Sequence, residues 1–405
     1  MKKPSLLVIF LTVFIDLVGF GIVLPLLPIF ARTLEASGLV IGLLMASFSA
    51  MQFIFAPVWG RLSDRIGRRP VLLVSTAGAA VSYALFAVGS GQSGSTALAL
   101  LFVSRLFAGI CGANITVAQA YIADITGPEE RSKAMGLIGA AFGLGFIFGP
   151  ALGGVMAANF GHAAPMHTAG VLAIINAVLI FFLLPESLSK EQRERLPKEK
   201  LFPGLFRHTR TADYLTCVST YFMLITGFSI MTAVFALFVA NRHGFDTKQT
   251  GYLYAMLGII GVFIQGGLIG RLVKRFGEGR VATVGAMLLT IGLFFAPLVS
   301  GLGALLLACA AIAAGNSLTN PTISGITSQC VDADWQGRAL GVLQSSASLA
   351  RFLGPVIGGW LLQMDLANDP AHYAKSPLWA AAAVLFVTLL LCLRLPSYKK
   401  TPGRT

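Results

Sequence analysis

Three charged residues interrupt long uncharged stretches of this 405-residue chain: Asp16, Arg105 and Arg351. If these stretches cross hydrocarbon, each charge costs about 2.5–3.5 kcal/mol on insertion scales, so residues of this kind are usually paired or functional. Asp16 follows the start of the first stretch by ten residues, which places it ~15 Å from one membrane face at ~1.5 Å per helical residue. The same arithmetic places Arg105 ~18 Å from that face of a core ~30 Å thick. The two charges are therefore predicted to lie at nearly the same depth.

A buried carboxyl group at such a position can take part in proton chemistry. Burial disfavours the charged form of Asp16, whereas a nearby guanidinium group favours it. A site in which an arriving ligand or a moving helix changes this balance can bind and release a proton near neutral pH. We therefore predict that Asp16, with Arg105, couples proton movement or recognises a cation. Two alternatives stay open: a static Asp–Arg pair that only stabilises the fold, and an Asp16 that lies at the membrane interface.

A polar stripe in the eleventh stretch is a second candidate for ligand recognition. Gln344, Ser348 and Arg351 are spaced i, i+4 and i+7, so they share one helical face. Small and apolar residues occupy the corresponding face of the fifth stretch: Gly139, Gly143 and Phe146. We predict an asymmetric cavity wall, in which Arg351 binds an anionic group or pairs across the cavity. The alternative is that its side chain reaches towards solvent.

Further polar residues lie inside the uncharged stretches. Asn316 and Asn320 share a helical face because they are spaced i, i+4. Residues of this type can line a ligand cavity or form hydrogen bonds between helices. The candidates for the cavity are Gln52, Asn114, Gln265, Asn316 and Asn320.

The composition indicates what positions these residues. Charged residues are 12% of the chain, about half of the ~25% that is usual in soluble proteins. Hydrophobic residues are 56%, and the mean hydropathy is +0.78. Twelve uncharged stretches, from Leu6–Phe30 to Pro377–Leu393, are long enough to cross a membrane. The chain is predicted to be an all-α polytopic membrane protein with twelve transmembrane helices, which excludes a soluble enzyme, a disulfide scaffold and a disordered protein.

The positive charge follows the predicted topology. The chain has a formal net charge of +13, and 24 of its 30 lysines and arginines lie at the N-terminus, in the even-numbered loops or at the C-terminus. By the positive-inside rule these segments are cytoplasmic, so both termini are predicted to be cytoplasmic. The excess charge is then explained by topology and by contact with anionic lipid headgroups. Nucleic acid is not expected as a partner.

The cysteines and histidines indicate no metal site. The five cysteines are isolated in or beside apolar stretches, with no CxxC spacing, and are expected to be small buried residues. The five histidines show no ligand spacing. The first stretch contains Asp16, Pro25 and Pro28 and lacks a small-residue cleavage site. It is therefore predicted to remain as a membrane span rather than to be removed as a signal peptide.

The chain is internally duplicated. The segment Gly60–Gly67 recurs 210 residues later as Gly270–Gly277, and Gly149–Gly154 recurs 205 residues later as Gly354–Gly359. Six stretches in each copy predict two six-helix bundles in the same orientation, a build in which the binding site lies near the midplane between the halves. The predicted units are an N-terminal bundle (1–185), a charged cytoplasmic linker (186–213) and a C-terminal bundle (214–405).

Four motifs support a resemblance to a known family. They are Gly60-x-Leu62-x-Asp64-Arg65-x-Gly67-Arg68-Arg69 after the second stretch, the double-proline ending Gly19–Pro28 of the first, Leu101-x-x-x-Arg105-x-x-Ala108-Gly109 in the fourth, and Gly145-x-x-x-Gly149-Pro150-x-x-Gly153-Gly154 in the fifth. Together they resemble the major facilitator superfamily, and most closely its twelve-helix drug:proton antiporter branch, which includes the tetracycline efflux proteins. Ala108 departs from that family's pattern, which has glutamine there. Acidic residues that tetracycline pumps carry in the third and ninth helices are also missing, with Ser82 in the third.

The resemblance implies a function and a set of site residues. It implies a proton-driven exporter of small amphipathic compounds, not an enzyme, that works by alternating access without a cofactor, as a monomer among lipids of a bacterial plasma (inner) membrane. It implies a cytoplasmic gate in which Arg68 pairs with Asp124 and Asp64 meets the start of helix eleven. It also implies a helix-packing motif made of Gly145, Gly149, Pro150, Gly153 and Gly154. Alternatives are an exporter or symporter of a native metabolite, and a non-transporting receptor or lipid scramblase.

Overall fold

The computed structural model describes residues 6–112, 114–126, 128–161, 163–188, 191, 211–331, 336–368 and 373–395. These ranges are almost entirely helical and contain no β-strand. The predicted linker, 186–213, lies mostly outside them. The helices are α1 (Leu6–Thr33), α2 (Gly38–Ile66), α3 (Arg68–Ser90), α4 (Gly94–Cys111), α5 (Asn114–Ile125), α6 (Pro128–Phe160), α7 (Ala164–Leu183), α8 (Thr211–His243), α9 (Thr247–Phe263), α10 (Ile269–Phe276), α11 (Glu278–Phe295), α12 (Leu302–Gln329), α13 (Gln336–Asn368) and α14 (Lys375–Cys392), with a π-helical turn at Ile264–Leu268 between α9 and α10.

Twelve helical segments of the described residues are long and apolar enough to cross a membrane. The prediction of a twelve-helix membrane protein is therefore confirmed. The outward faces of the helices expose large apolar side chains such as Phe263 and Leu307, as contact with lipid requires. Polar caps are confined to helix ends, as in α9, where Asp246 and Gln249 form a reciprocal capping box.

Two predicted spans are not continuous α-helices. The fourth is divided between α4 and α5, and the eighth contains the π-helical turn. At the break in the fourth, Gln52 Nε2 donates to Gly112 O at 3.0 Å, and the Ser75 hydroxyl donates to Cys111 O. Because backbone groups in a membrane must be paired within the protein, these bonds allow the helix to break there.

Glycines bring the two halves together at one end of the bundle. We call this end the distal face; it is where α1 ends and α2 begins. A Cβ on Gly359 of α13 would lie only 2.7 Å from Gly42 Cα of α2. The amide of Gly38, in the first turn of α2, donates to Gln363 Oε1 of α13 at 2.8 Å. α6 and α9 meet in the same way, because a Cβ on Gly251 would lie 2.6 Å from Pro150 O.

α2 and α13 separate at the opposite end of the bundle. We call this end the termini face because α1 begins and α14 ends there. Gly60 follows Gly42 by 18 residues, and Gly341 precedes Gly359 by 18, which is about five helical turns and therefore the same face. No described atom lies within 4 Å of a Cβ built on Gly60 or Gly341. In the part of the chain that the structure describes, the halves therefore touch at the distal face and separate towards the termini face, where a cleft opens between them.

Candidate functional site

Asp16 lies on α1 and is half-buried. Asn114 Nδ2 donates to Asp16 Oδ1 at 2.8 Å and lies 3.4 Å from the Thr76 hydroxyl oxygen. Asn114 is the first residue of α5, so the break in the fourth span places both an amide donor and a helix N-terminus next to the carboxylate. The N-terminal end of a helix is positive and stabilises a nearby negative charge. This arrangement provides a specific partner for a carboxylate in the membrane interior.

Arg105 does not form an ion pair with Asp16, although the two were predicted to lie at similar depth. Arg105 lies on α4 with 6% of its surface exposed. Its guanidinium stacks on the ring of Phe48, 4.6 Å from the ring centroid, and its Nε has no hydrogen-bond partner in the described chain. The alternative of a direct, static Asp–Arg pair is therefore not what the structure contains.

Tyr83 on α3 lies near both charges, and the sequence interpretation missed it. The buried Tyr83 is close enough to Asp16 and Arg105 for electrostatic interaction with each of them. Its hydroxyl also lies 2.8 Å from the position that a Cβ on Gly19 of α1 would occupy. Its neighbour Ser82, which drew attention in the sequence, only donates to Ala79 O of its own helix. The one available signal was a tyrosine in the middle of an otherwise apolar span.

A second polar group lies in the C-terminal half. The Tyr221 hydroxyl on α8 donates to Asn320 Oδ1 on α12 at 3.3 Å, and it also interacts with the side chains of Gln344 and Ser324. Asn320 and Gln344 were predicted as cavity residues, whereas Tyr221 was not chosen. We call Tyr221, Asn320, Gln344 and Arg351 the C-terminal cluster.

Arg351 lies close to the other residues of this cluster. Its Nη2 donates to the Ser348 hydroxyl of its own helix at 3.2 Å, and its guanidinium is near enough to Tyr221 for electrostatic interaction. Among the described residues, no carboxylate lies within 4.0 Å of its guanidinium. In this conformation Arg351 therefore pairs with no described acid across the cavity.

The two polar groups join corresponding helices of the duplicated chain, but at different positions. A Cβ on Gly153 would lie 3.1 Å from Ile22 O of α1, and one on its counterpart Gly358 would lie 3.1 Å from Ile230 O of α8. α1 and α8 therefore correspond with a spacing of 208 residues, which matches Asp16 with Leu224 and places Tyr221 about one turn before that position. Each half thus contains a hydrogen-bonded pair between its first and fourth spans, and the position of the acid is occupied by leucine in the second half.

The remaining predicted cavity residues are in different surroundings. Gln52 stabilises the break in the fourth span through Gly112, which agrees with the structural alternative. Gln265 is half-buried in the π-helical turn, an irregularity that often occurs at functional sites. Asn316 lies one turn before Asn320 on α12, and its Oδ1 is buried without a partner in the described chain.

An ion-pair network lies at the termini face. Arg68 Nη1 contacts Asp64 Oδ1 at 2.6 Å, and Arg68 Nε contacts Asp124 Oδ2 at 3.0 Å. Asp124 also accepts from the Ser187 hydroxyl at 2.8 Å. The Asp64 side chain is 45% exposed, and its ion pair among the described residues is the one with Arg68. At the expected docking point of Asp64, Gly337 and Arg338, the structure describes only the helical backbone.

Comparisons with known proteins identify the family. The family model described as Major Facilitator Superfamily matches residues 9–355 and 266–405. The chain belongs to the major facilitator superfamily. It is 34% identical to the class C tetracycline resistance protein of Escherichia coli, over 97% of this chain and 98% of the other. It is 32% identical to multidrug resistance protein 2 of Bacillus subtilis (strain 168), over 96% and 94% of the two chains.

Solved structures of superfamily members share the architecture of this facilitator. The human organic anion transporter MFSD10 (TETRAN) superposes with a TM-score of 0.72 at 26% identity, covering 96% of this chain and all of the other. The nucleoside transporter NupG superposes with a TM-score of 0.77 at 14% identity over the same coverage, which shows the shared fold. The relatives and structural neighbours of this facilitator are transporters, not enzymes.

The fifth-span motif of this facilitator positions the helix that carries Asp16. A Cβ on Gly145 would lie 2.7 Å from Leu17 Cβ, and one on Gly149 would lie 2.7 Å from Gly21 Cα. Larger residues at these positions would push α1 away from α6. Gly153 also packs on α1, at Ile22, whereas Gly154 packs on α9 in the other half, at Thr247 O. The motif therefore connects the candidate proton site to an inter-half contact.

Proposed function

We propose that this superfamily member is a proton-coupled secondary transporter that exports small amphipathic compounds, with tetracycline and other drugs as the first candidates. Two relatives that match almost the whole chain are named for resistance to tetracycline and to multiple drugs. The observation that carries the proposal is the Asp16–Asn114 pair at a broken membrane helix, because it provides a carboxylate whose charge depends on local geometry. Small-molecule cargo, protons and membrane lipids are the proposed partners. No cofactor is proposed, since a proton gradient would drive transport, and a monomer would suffice.

Alternating access follows from the way the halves meet. The distal face is closed by the contacts of α2 with α13 and of α6 with α9, whereas the termini face is open. With both termini cytoplasmic in a bacterial inner membrane, this conformation would load cargo from the cytoplasm. In the reverse conformation, α2 and α13 would close around Gly60 and Gly341, and Asp64 would dock at the start of α13. The Arg68–Asp124 pair would then fix the end of α2, which carries Asp64.

The proton would act at Asp16. When ionised, its carboxylate accepts from Asn114 and lies beside the positive end of α5. Protonation removes the charge on which both interactions depend and so weakens the attachment of α1 to α5. Because α1 also packs against the glycines of α6, a change at Asp16 is transmitted to the helix that contacts the other half. Proton binding and helix movement are coupled in this way.

The test uses purified protein in liposomes with an imposed pH gradient and drugs beginning with tetracycline. We expect Asp16→Asn to abolish flux driven by the gradient, with Glu35→Gln, an exposed acid in the distal loop, as the matched control. Undiminished, gradient-dependent flux in Asp16→Asn would contradict the coupling assignment.

A second candidate cargo is an organic anion that is a native metabolite of the cell. It is favoured by Arg105 and Arg351, neither of which forms an ion pair with a described carboxylate. The solved relative MFSD10 is described as an organic anion transporter. The same liposome assay distinguishes the two candidates when the panel contains anionic metabolites as well as drugs.

A further inference from the structure

Building on this proposed transport function, we propose that the C-terminal cluster binds an anionic group of the cargo, such as a carboxylate, a sulfonate or an enolate oxygen. The cluster consists of Tyr221, Asn320, Gln344 and Arg351. It would supply charge and hydrogen-bond donors to the anion, while the Asp16 site handles the proton.

The first step is the uncompensated charge of Arg351. The residue lies near the middle of α13, 15 residues after Gln336 and 17 before Asn368, so its depth is close to the centre of the membrane. A guanidinium group has five N–H donors, and among the described residues its hydrogen bond is to the neutral hydroxyl of Ser348. A cation at this depth is costly unless a counter-charge is present. Since no described carboxylate pairs with it, an anionic group of the cargo would supply that counter-charge.

The second step is the chemistry of its neighbours. Tyr221 uses its hydroxyl proton on Asn320 Oδ1, which orients the Asn320 amide so that its NH₂ group points away from Tyr221. Gln344 contributes a second side-chain amide to the same group. An anion needs several converging donors, and charge-assisted bonds to a guanidinium are the strongest of them. The cluster offers both side-chain amide donors and a guanidinium group.

The third step is access from the cleft. Arg351 precedes Pro355 by four residues and Gly359 by eight, so it shares the face of α13 that contacts α2 of the other half. Gln344 lies on this face as well, one turn after Gly341. A Cβ built on Gly341 has no described atom within 4 Å. Gln344, Arg351 and Asn320 are each half-buried rather than sealed in the core. Gln344 and Arg351 therefore face the space between the halves.

The fourth step is the comparison with the first half. The position on α8 that corresponds to Asp16 is Leu224. The part of α8 next to Arg351 therefore has no acid, and the side chains around this cation are neutral. The polar group of the first half contains a carboxylate, whereas that of the second contains an arginine.

The experiment compares three probes that share one ring system and differ in charge: 2-naphthoate, 2-naphthylmethanol and 2-naphthylmethylamine. Binding is measured as the shift in thermal unfolding of the purified protein, followed with a thiol-reactive dye, because the five cysteines are free and buried. We expect naphthoate to stabilise the wild type at a concentration about tenfold or more below that of the other two probes, as expected for a hydrogen-bonded charge pair.

Substitutions test whether the stabilisation by naphthoate arises at the C-terminal cluster. Arg351→Gln should raise the half-saturating concentration of naphthoate about tenfold or more and leave that of naphthylmethanol unchanged, while Arg351→Lys retains part of the preference. Arg242→Gln, at an exposed arginine near the end of α8, is the control and should bind like the wild type. If Arg351→Gln does not fold, as judged by its unfolding without probe, Tyr221→Phe tests the same site, with a smaller expected loss.

Two results would overturn the anion site: equal stabilisation by the three probes in the wild type, or naphthoate binding that is insensitive to both Arg351→Gln and Tyr221→Phe. The liposome assay with Asp16→Asn separates this failure from that of the proposed function. Gradient-driven flux that needs Asp16 but shows no anion preference would refute only the C-terminal site. A preference for naphthoate together with Asp16-independent flux would refute only the proton coupling.

Discussion

The two halves of the molecule each join their first and fourth spans by a polar pair, but the pairs differ in chemistry. In the N-terminal half the pair is Asp16 with Asn114, and in the C-terminal half it is Tyr221 with Asn320. The helices are related by the duplication, but the positions are not, because Asp16 corresponds to Leu224; the first pair contains an acid, and the second has an arginine nearby. The difference indicates that each half placed its polar residues independently on the same scaffold, as the proposed division into a proton site and a cargo site requires.

The largest effect that would test this division is expected from Asn114→Leu. The change removes a hydrogen bond to a charged group, a contribution of about 1.5–3 kcal/mol, so gradient-driven flux should fall by about tenfold or more. The pH at which flux is half-maximal should also move, because the ionised form of Asp16 loses its donor. Flux measured in liposomes across a series of external pH values tests both expectations.

The matched control for that change is Asn320→Leu in the other half. If it displaces the pH profile as much as Asn114→Leu does, the two pairs are functionally equivalent and the comparison fails.

An intermediate effect is expected from Tyr83→Phe. The ring keeps its packing against α1, but the hydroxyl near Asp16 and Arg105 is lost, and one polar group of this kind contributes about 1 kcal/mol, or roughly fivefold in flux. The pH profile should shift in Tyr83→Phe, whereas Ser82→Ala at the neighbouring position should behave as wild type. An unshifted profile would show that Tyr83 only fills space.

A smaller effect is expected from Asn320→Leu itself. Loss of the 3.3 Å bond to Tyr221 should raise the half-saturating cargo concentration about threefold, since this bond joins neutral groups and is long. Maximal flux and its pH dependence should stay close to the wild type. Initial rates at varied cargo concentration separate the two parameters, and a lower maximal flux without a change in half-saturation would argue against a binding role.

The smallest effect is expected from Thr76→Val. The hydroxyl of Thr76 lies 3.4 Å from Asn114 Nδ2, near the limit of a hydrogen bond, so flux should change by no more than about twofold. The same liposome series measures it. A loss as large as that of Asn114→Leu would mean that Thr76, rather than Asp16, is the main partner of Asn114.

Patterns that repeat along the chain were predictable. Hydropathy alone predicts the twelve spans, because a segment that crosses a membrane must be apolar along its length. The duplicated loop and fifth-span motifs predict two like-oriented halves. Asn114 and Arg351 were identified from their polarity, since polar residues are rare enough in such spans to be noticed.

Features that depend on rotation about helix axes were not predictable. Equal depth suggested that Asp16 could meet Arg105, but depth does not determine which way a side chain points around its helix, and Arg105 stacks on Phe48 instead. Tyr83 was missed because an aromatic residue in an apolar span resembles any other packing residue. The break at Gly112 depends on Gln52 and Ser75, which come from other helices and cannot be paired with it from the sequence.

The hydrogen bond from Gly38 to Gln363 links opening of the distal face to water. When α2 and α13 part there, the amide in the first turn of α2 loses its acceptor, and a solvent molecule must replace it. In the proposed alternating-access cycle, opening of the distal face would therefore be a wetting event, in which the vestibule fills as the helices separate. Osmolytes too large to enter that vestibule should hold it shut without any change in sequence.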